Sequence, residues 1–241
     1  KDKINVDVLF DDGMHNVFKS NAKYPILMRR PWNQDATGML AVNNYEEFLK
    51  LLEVIVKSNS YLETESLSNP SIVCLVGPSG SGKTKVAGRL IKMTDKLLKL
   101  QSYTTKDPTS LKENDWYNYI TTEEFRTLLD NNELFESTMY AGHGFGSKKE
   151  DIVKNVLTTM DICGAMALKC HFDNVIMIYI KRDRRTLIES ILKKKSTIED
   201  KTNRILAIDS EKSNISLCDY VVYNTSYDDA AKEILKILEI K

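Results

Sequence analysis

The sequence predicts an α/β protein: a three-layer domain on a central parallel sheet over residues 71–241, preceded by a short α/β segment. Three observations carry this reading. Short apolar runs at 72–76 and 175–180 have the character of strands buried on both faces. Each run is followed by a stretch with helical periodicity, the alternation from which parallel sheets are built. A glycine-rich turn at 77–82 separates the first run from its helix.

The elements follow in order. Ile4, Val6 and Val8 alternate with polar residues and run into Leu9 and Phe10, which predicts a short strand. Residues 24–28 predict a second. Asn43 or Asn44 caps a helix running to Lys57, with Phe48, Leu51, Leu52 and Ile55 on one face. The polar, turn-rich stretch 58–70 predicts a linker between a segment at 1–57 and a domain at 71–241. Beyond it, 72–76 is a strand and 83–100 a helix. Thr121-x-x-Glu124 and Ser147-x-x-Glu150 are capping-box patterns that predict two more helices. A strand at 175–180, helices at 184–195 and 198–214, a strand at 219–222 and a helix at 228–239 complete the chain.

Composition narrows the function. The chain has 241 residues, and its 34 Lys and Arg balance 34 Asp and Glu. Zero formal charge gives no electrostatic reason to expect nucleic acid or an anionic membrane as partner. Apolar runs of six residues or fewer fall well short of the roughly 20 that span a bilayer. Cys74, Cys163, Cys170 and Cys218 form no Cys-x-x-Cys, which excludes a zinc knuckle and a dithiol redox motif and predicts reduced thiols. With no secretory signal, these point to a cytoplasmic protein. The chain starts in charged residues without Met and reads as a piece of a longer polypeptide.

Gly77-Pro78-Ser79-Gly80-Ser81-Gly82-Lys83-Thr84 fits G-x-x-x-x-G-K-[ST] between a strand and a helix. Such a loop turns backbone N–H groups toward phosphate oxygens, and the helix N-terminus adds unpaired donors. Gly77, Ser79, Gly80, Ser81, Gly82, Lys83 and Thr84 are therefore the candidate ATP-binding residues. Lys83 would reach the β- and γ-phosphates and the Thr84 hydroxyl would ligate Mg²⁺. Six of the ten glycines fall in two loops, the second at 141–147, where a predicted helix begins. That loop is either a second ligand contact or a flexible turn.

From residue 71 to the end the chain resembles the guanylate kinase family. The resemblance rests on the phosphate loop, Ser102-x-Thr104-Thr105-Lys106-x-Pro108, Trp116-Tyr117-Asn118-Tyr119, and Glu133-Leu134-Phe135-Glu136 with the loop Gly142-His143-Gly144-Phe145-Gly146-Ser147. Asp161-x-x-Gly164, Arg204-Ile205 and Asp219-Tyr220-Val221-Val222-x-Asn224 complete it. It implies a small nucleoside-monophosphate-binding subdomain lined by Ser102, Lys106, Tyr117, Glu136 and Asp161. Ser102 and Tyr117 would contact the acceptor phosphate, Glu136 would read the base edge, and Asp161 would lie near the transferred group. Lys194 and Arg204 would bring positive charge from the lid and the next helix. Without the resemblance, Glu136 reads as a surface acid, Tyr117 as a sheet residue, Asp161 as a helix cap and Arg204 as part of a solvated face.

The chain departs from the family's pattern on the acceptor side. Lys106 and Thr109 replace two Arg, so a forked grip on phosphate is weakened. Lys112 and Glu113 are both candidates for an acidic base-reading position. Gly144 replaces a Tyr, Thr159 an Asp, and Ser190 and Lys194 two lid Arg. The donor site is expected intact and the acceptor site retuned.

Lys1, Asp7-Val8-Leu9-Phe10-Asp11-Asp12-Gly13, Pro31-Trp32-Asn33 and Val42-Asn43-Asn44 resemble the end of a haloacid-dehalogenase-like 5′(3′)-deoxyribonucleotidase. Lys1, Asp11 and Asp12 would be remnants of its phosphate and Mg²⁺ site. The family's nucleophilic Asp-x-Asp is not in this sequence. A nucleotidase half-domain, or self-association through 1–57, is the implied partner for this segment. The expected activity is ATP-dependent, Mg²⁺-assisted phosphorylation of a (deoxy)nucleoside monophosphate, GMP or dGMP. The alternatives are a binding module without catalysis and part of a bifunctional nucleotidase and kinase.

Overall fold

The computed structural model describes residues 6–34, 36, 39–58, 71–106, 116–140, 143–152 and 154–240. Lys1, most of the predicted linker, Pro108, Thr109, Lys112, Glu113 and Gly142 lie outside the described residues.

The first segment runs β1 (Val8–Asp11), α1 (Met14–Phe18), β2 (Tyr24–Met28), β3 (Leu40–Val42) and α2 (Tyr45–Ser58). Its three strands form a parallel sheet in the order β1-β2-β3. Of the two candidate caps for α2, Asn44 does the work: its Oδ1 accepts from Glu47 N at 2.8 Å. The Glu47 carboxylate reaches back to Asn43 N at 2.7 Å.

The remainder runs β4 (Ile72–Val76), α3 (Lys83–Met93), β5 (Leu98–Lys99), β6 (Ser102–Thr104), β7 (Tyr117–Tyr119), α4 (Thr122–Asp130), β8 (Leu134–Tyr140) and β9 (His143–Lys148). It continues with β10 (Val156–Thr159), α5 (Ile162–His171), β11 (Val175–Lys181), α6 (Arg184–Leu192), α7 (Ile198–Ser213), β12 (Tyr220–Tyr223) and α8 (Tyr227–Ile237). Five strands make an all-parallel sheet in the order β12-β11-β4-β10-β5. β7-β6-β9-β8 form a separate mixed sheet.

β4 lies at the centre, and every one of its residues is buried. Its period-2 alternation serves two cores at once. Val73 and Leu75 pack with Val86 and Leu90 of α3 and Ala230 and Ile234 of α8. Ile72, Cys74 and Val76 face the other way, toward Ile162, Ala165, Met166 and Leu168 of α5. That second core extends without a break into Tyr24, Ile26, Met28, Leu40 and Val42 of the first segment. The Cys163 thiol donates to Met39 O at 3.2 Å across the same boundary. All four cysteines are free thiols, as expected.

Two expectations need correction. The helix predicted for 83–100 stops at Met93: Thr94 turns extended at φ −147° after its N–H closes on Leu90 O at 3.2 Å. Residues 98–99 then form the edge strand β5, because a β-branched residue and a polar turn interrupt the apolar period. Ser147-x-x-Glu150 opens no α-helix, since Ser147 lies buried within β9 and only a short 3-10 turn, Lys149–Asp151, follows. The core strand β10 did not stand out, because its Thr158 and Thr159 dilute the apolar signal. The Thr121 capping box is present as expected: Glu124 N donates to Thr121 Oγ1 at 3.1 Å and Thr121 N to Glu124 Oε2 at 2.7 Å.

Candidate active site

The phosphate loop leaves the carboxyl end of β4 and enters α3, beside the carboxyl end of β10 where Asp161 follows. That crevice is where ligands of open parallel sheets bind. Gly82 caps α3 in the left-handed region at φ 91°. A Cβ there would sit 2.5 Å from Asn224 Nδ2 and 2.8 Å from the Tyr227 ring, so only glycine fits. Loop carbonyls are held by the protein: Ser81 O accepts from Asn224 Nδ2 at 2.6 Å and Gly80 O from Arg182 Nη1 at 3.2 Å. The loop N–H groups and the N-terminus of α3 then supply the anion-binding donors.

Three further cations converge on this loop beside Arg182. The Lys83 ammonium is tucked against the carbonyls of Gly77 and Pro78. Lys194 Nζ and Arg204 Nη1 both donate to Ser79 Oγ, at 2.9 and 3.1 Å. Arg204 Nε is held by both oxygens of Asp200 at 2.9 Å. Burial lowers the pKa of Lys83, and the negative charges of Glu211 and Asp161 oppose that shift. Burial also lowers Lys194, with the positive charges of Arg204 and Lys83 adding to the effect. The carboxyl of Glu211 is pushed up to about 7 by burial, against the pull of Lys83.

The mixed sheet builds the second half of the site. Ser102 Oγ and Ser147 Oγ are hydrogen-bonded at 3.1 Å. Ser147 also bonds Glu136, whose carboxyl is raised to about 7, first by burial and further by the charge of Asp161. Asp161 is thus coupled to both Lys83 and Glu136, linking the two halves. It caps α5 as well, accepting from Gly164 N at 2.9 Å, so both readings of this residue hold. The Tyr117 ring stands edge-on to Phe145, centroids 5.7 Å apart, and is 38% exposed. Lys106 is exposed just past β6, its N–H donating to Thr104 Oγ1 at 3.2 Å. At Gly144, a Cβ would lie 2.6 Å from the Phe125 ring of α4. Phe125 thus fills the space beside the position that carries a Tyr in the family's pattern.

Asp11 and Asp12 have local partners. The Asp11 carboxylate accepts from Gly13 N at 2.7 Å and Asn16 Nδ2 at 3.0 Å, and Asp12 lies 3.9 Å from Arg30 Nε. Sequence reasoning missed four residues that shape the site: Ser147, Arg182, Glu211 and Asn224. Ser147 sits in a capping-box pattern that points to a helix instead. Arg182 and Glu211 carried no motif. Asn224 had a signal, the Val-Val-x-Asn ending of β12, but no role.

Fold and site together define a P-loop phosphotransferase of the nucleoside monophosphate kinase class. The guanylate kinase family model matches residues 69–241. The guanylate kinase of Cupriavidus metallidurans is 31% identical over 178 residues, covering 70% of this chain and 82% of that protein. The guanylate kinase of Rickettsia prowazekii is 30% identical over 177 residues, covering 69% and 89%. A crystal structure of guanylate kinase from Anaplasma phagocytophilum aligns with a TM-score of 0.53 at 26% identity, over 71% of this chain and 86% of that one. The chain belongs to the guanylate kinase family, a family of ATP-dependent phosphotransferases.

Proposed function

We propose that the chain transfers the γ-phosphoryl group of ATP to GMP or dGMP. The observation that carries this reading is the convergence of Lys83, Lys194 and Arg204 on one loop, coupled through Asp161 to the half-buried, hydroxyl-bonded Glu136. An acceptor phosphate oxygen attacks the γ-phosphorus in line, and the bond to the β–γ bridging oxygen breaks to leave ADP. The chain contributes position and charge. Lys83 and the loop hold the β- and γ-phosphates. Arg204 and Lys194 neutralise charge spreading over the transferred group. Ser102, Ser147, Tyr117 and Lys106 hold the acceptor phosphate side, and the Glu136 carboxylate accepts from the ring N–H and amino group of guanine.

Mg²⁺ fits this donor set. No group of three or more His, Cys, Asp or Glu that could hold a metal exists among the described residues. Mg²⁺ in such sites is bound by one or two protein oxygens and the substrate phosphates, and Thr84 on the first turn of α3 offers a hydroxyl beside Lys83. When bound, it would neutralise charge on the β- and γ-phosphates.

The test is transfer from ATP to GMP, dGMP, AMP, CMP and UMP under identical conditions. Preference for GMP or dGMP is expected. Preference for AMP or a pyrimidine overturns the role of Glu136, and transfer to none of the five leaves a nucleotide-binding module. The replacement of forked guanidinium by Lys106 supports a high KM for the acceptor.

A further inference from the structure

Helix α7 carries a half-buried acid, Glu211, that the proposed transfer does not use. Glu211 follows Arg204 by seven residues, two helical turns, so both side chains leave the same face. That face is fixed against the phosphate loop by the 3.1 Å contact from Arg204 to Ser79. The turn bearing Glu211 is tied to the central sheet, where Tyr179 Oη of β11 donates to the Glu211 carbonyl at 3.2 Å.

The charges around Glu211 are unevenly served. Arg204 has its own partner in Asp200 at 2.9 Å. Lys83 and Lys194 have no carboxylate in ion-pair contact among the described residues; their hydrogen bonds go to loop carbonyls and to Ser79. The Glu211 carboxylate likewise makes no direct bond among the described residues, yet it acts electrostatically on Lys83, Asp161, Arg204 and Lys194. Above pH 7 the ionised Glu211 carboxylate, together with Asp161, therefore sets negative charge against a cluster of cations built to receive a polyanion. Before nucleotide arrives, it offsets their mutual repulsion. Once a triphosphate is seated, it opposes the bound charge.

We infer that Glu211 is a positioning residue that serves as the counter-charge of the donor site, keeping Lys83, Lys194 and Arg204 together and holding down the affinity for nucleotide polyphosphates so that donor and spent diphosphate exchange. The inference rests on the reading of the loop as the ATP site.

The test compares wild type with Glu211→Gln by calorimetry at about pH 8, using the β,γ-imido analogue of ATP with Mg²⁺, and separately Mg·ADP, at low and high salt. The neutral variant should bind both nucleotides several-fold to about tenfold more tightly at low salt. That gap should narrow as salt screens the cluster. In steady state, KM for ATP and kcat should fall together, because ADP leaves more slowly. A residue that merely holds α7 in place would give weaker binding when altered. Glu211→Met repeats the measurement with a second neutral side chain. Unchanged or weaker affinity in a folded neutral variant overturns the inference. Failure of both neutral variants to fold also overturns it, since the carboxylate would then be structural. A wild type that binds neither nucleotide overturns the donor-site reading and the inference with it, whereas an unchanged variant beside a binding wild type overturns the inference alone.

Discussion

Lys83 and Glu136 are both half-buried ionisable groups, and the proposed reaction assigns them to different substrates. Lys83→Ala removes the charge nearest the transferred group, and kcat should fall by at least about 100-fold with the melting temperature nearly unchanged. Steady-state transfer to GMP at saturating ATP checks this. Glu136 must be ionised to accept two hydrogen bonds from guanine, and its carboxyl is raised to about 7. A raised carboxyl is protonated below that value, so the KM for GMP should climb about tenfold between pH 8 and pH 6. Glu136→Gln should flatten that profile and erode the preference for GMP over AMP, with ATP binding spared. A profile that persists in the variant would assign the titration to another group. At this scale the donor half was legible, because G-x-x-x-x-G-K-T is contiguous. The acceptor half was legible only by resemblance, because Ser102, Glu136 and Ser147 come from three strands and meet only once the mixed sheet forms. Glu211 was invisible because nothing local in α7 marks the charges that act on it, Lys83 and Asp161, which come from distant parts of the chain.

Among the elements, α4 shows how a local signal reaches the site. The Thr121 capping box fixes the start of the helix, which places Phe125 against Gly144 of β9. Thr121→Ala should cost about 1 kcal/mol of stability, read by urea denaturation. Gly144→Ala drives a Cβ into the Phe125 ring and should cost about 1–3 kcal/mol, with a raised KM for the acceptor and an unchanged KM for ATP. If Gly144→Ala is neutral in both readouts, the packing of α4 has no hold on the acceptor sheet. The contrast between the two capping-box patterns is instructive. Thr121 precedes an amphipathic run and nucleates a helix, whereas Ser147 is claimed by Ser102 and Glu136 across a sheet, and tertiary hydrogen bonds override the local preference. β5 and β10 were lost for a related reason. Two residues are too few for β5 to show a period, Thr158 and Thr159 dilute that of β10, and their neighbours in the sheet define both strands.

Over the whole molecule, the first segment is bound to the kinase fold by a shared core. Ile26 is wholly buried in it together with Cys74, Met166 and Met177. Ile26→Ala should therefore destabilise the protein by about 2–5 kcal/mol. Affinity for Mg·ATP should stay within a few-fold, since every proposed donor contact lies beyond residue 71. Calorimetric melting and nucleotide titration on the same variant separate the two. The alternation of β4 foretold two buried faces, but its sequence could not say that one of them would be covered partly by residues 24–42. The two sides of α7 have a further consequence. Arg204 and Glu211 look toward the loop, while Leu206, Asp209, Ser210 and Ser213 wall a cavity of about 250 Å³ whose other side is Val17, Phe18, Lys23, Tyr24 and Met39. One helix thus borders both the proposed seat of the transferred phosphate and the seam between the two parts of the chain. Amide exchange along α7 should therefore respond both to occupancy of the nucleotide site and to loosening of that seam.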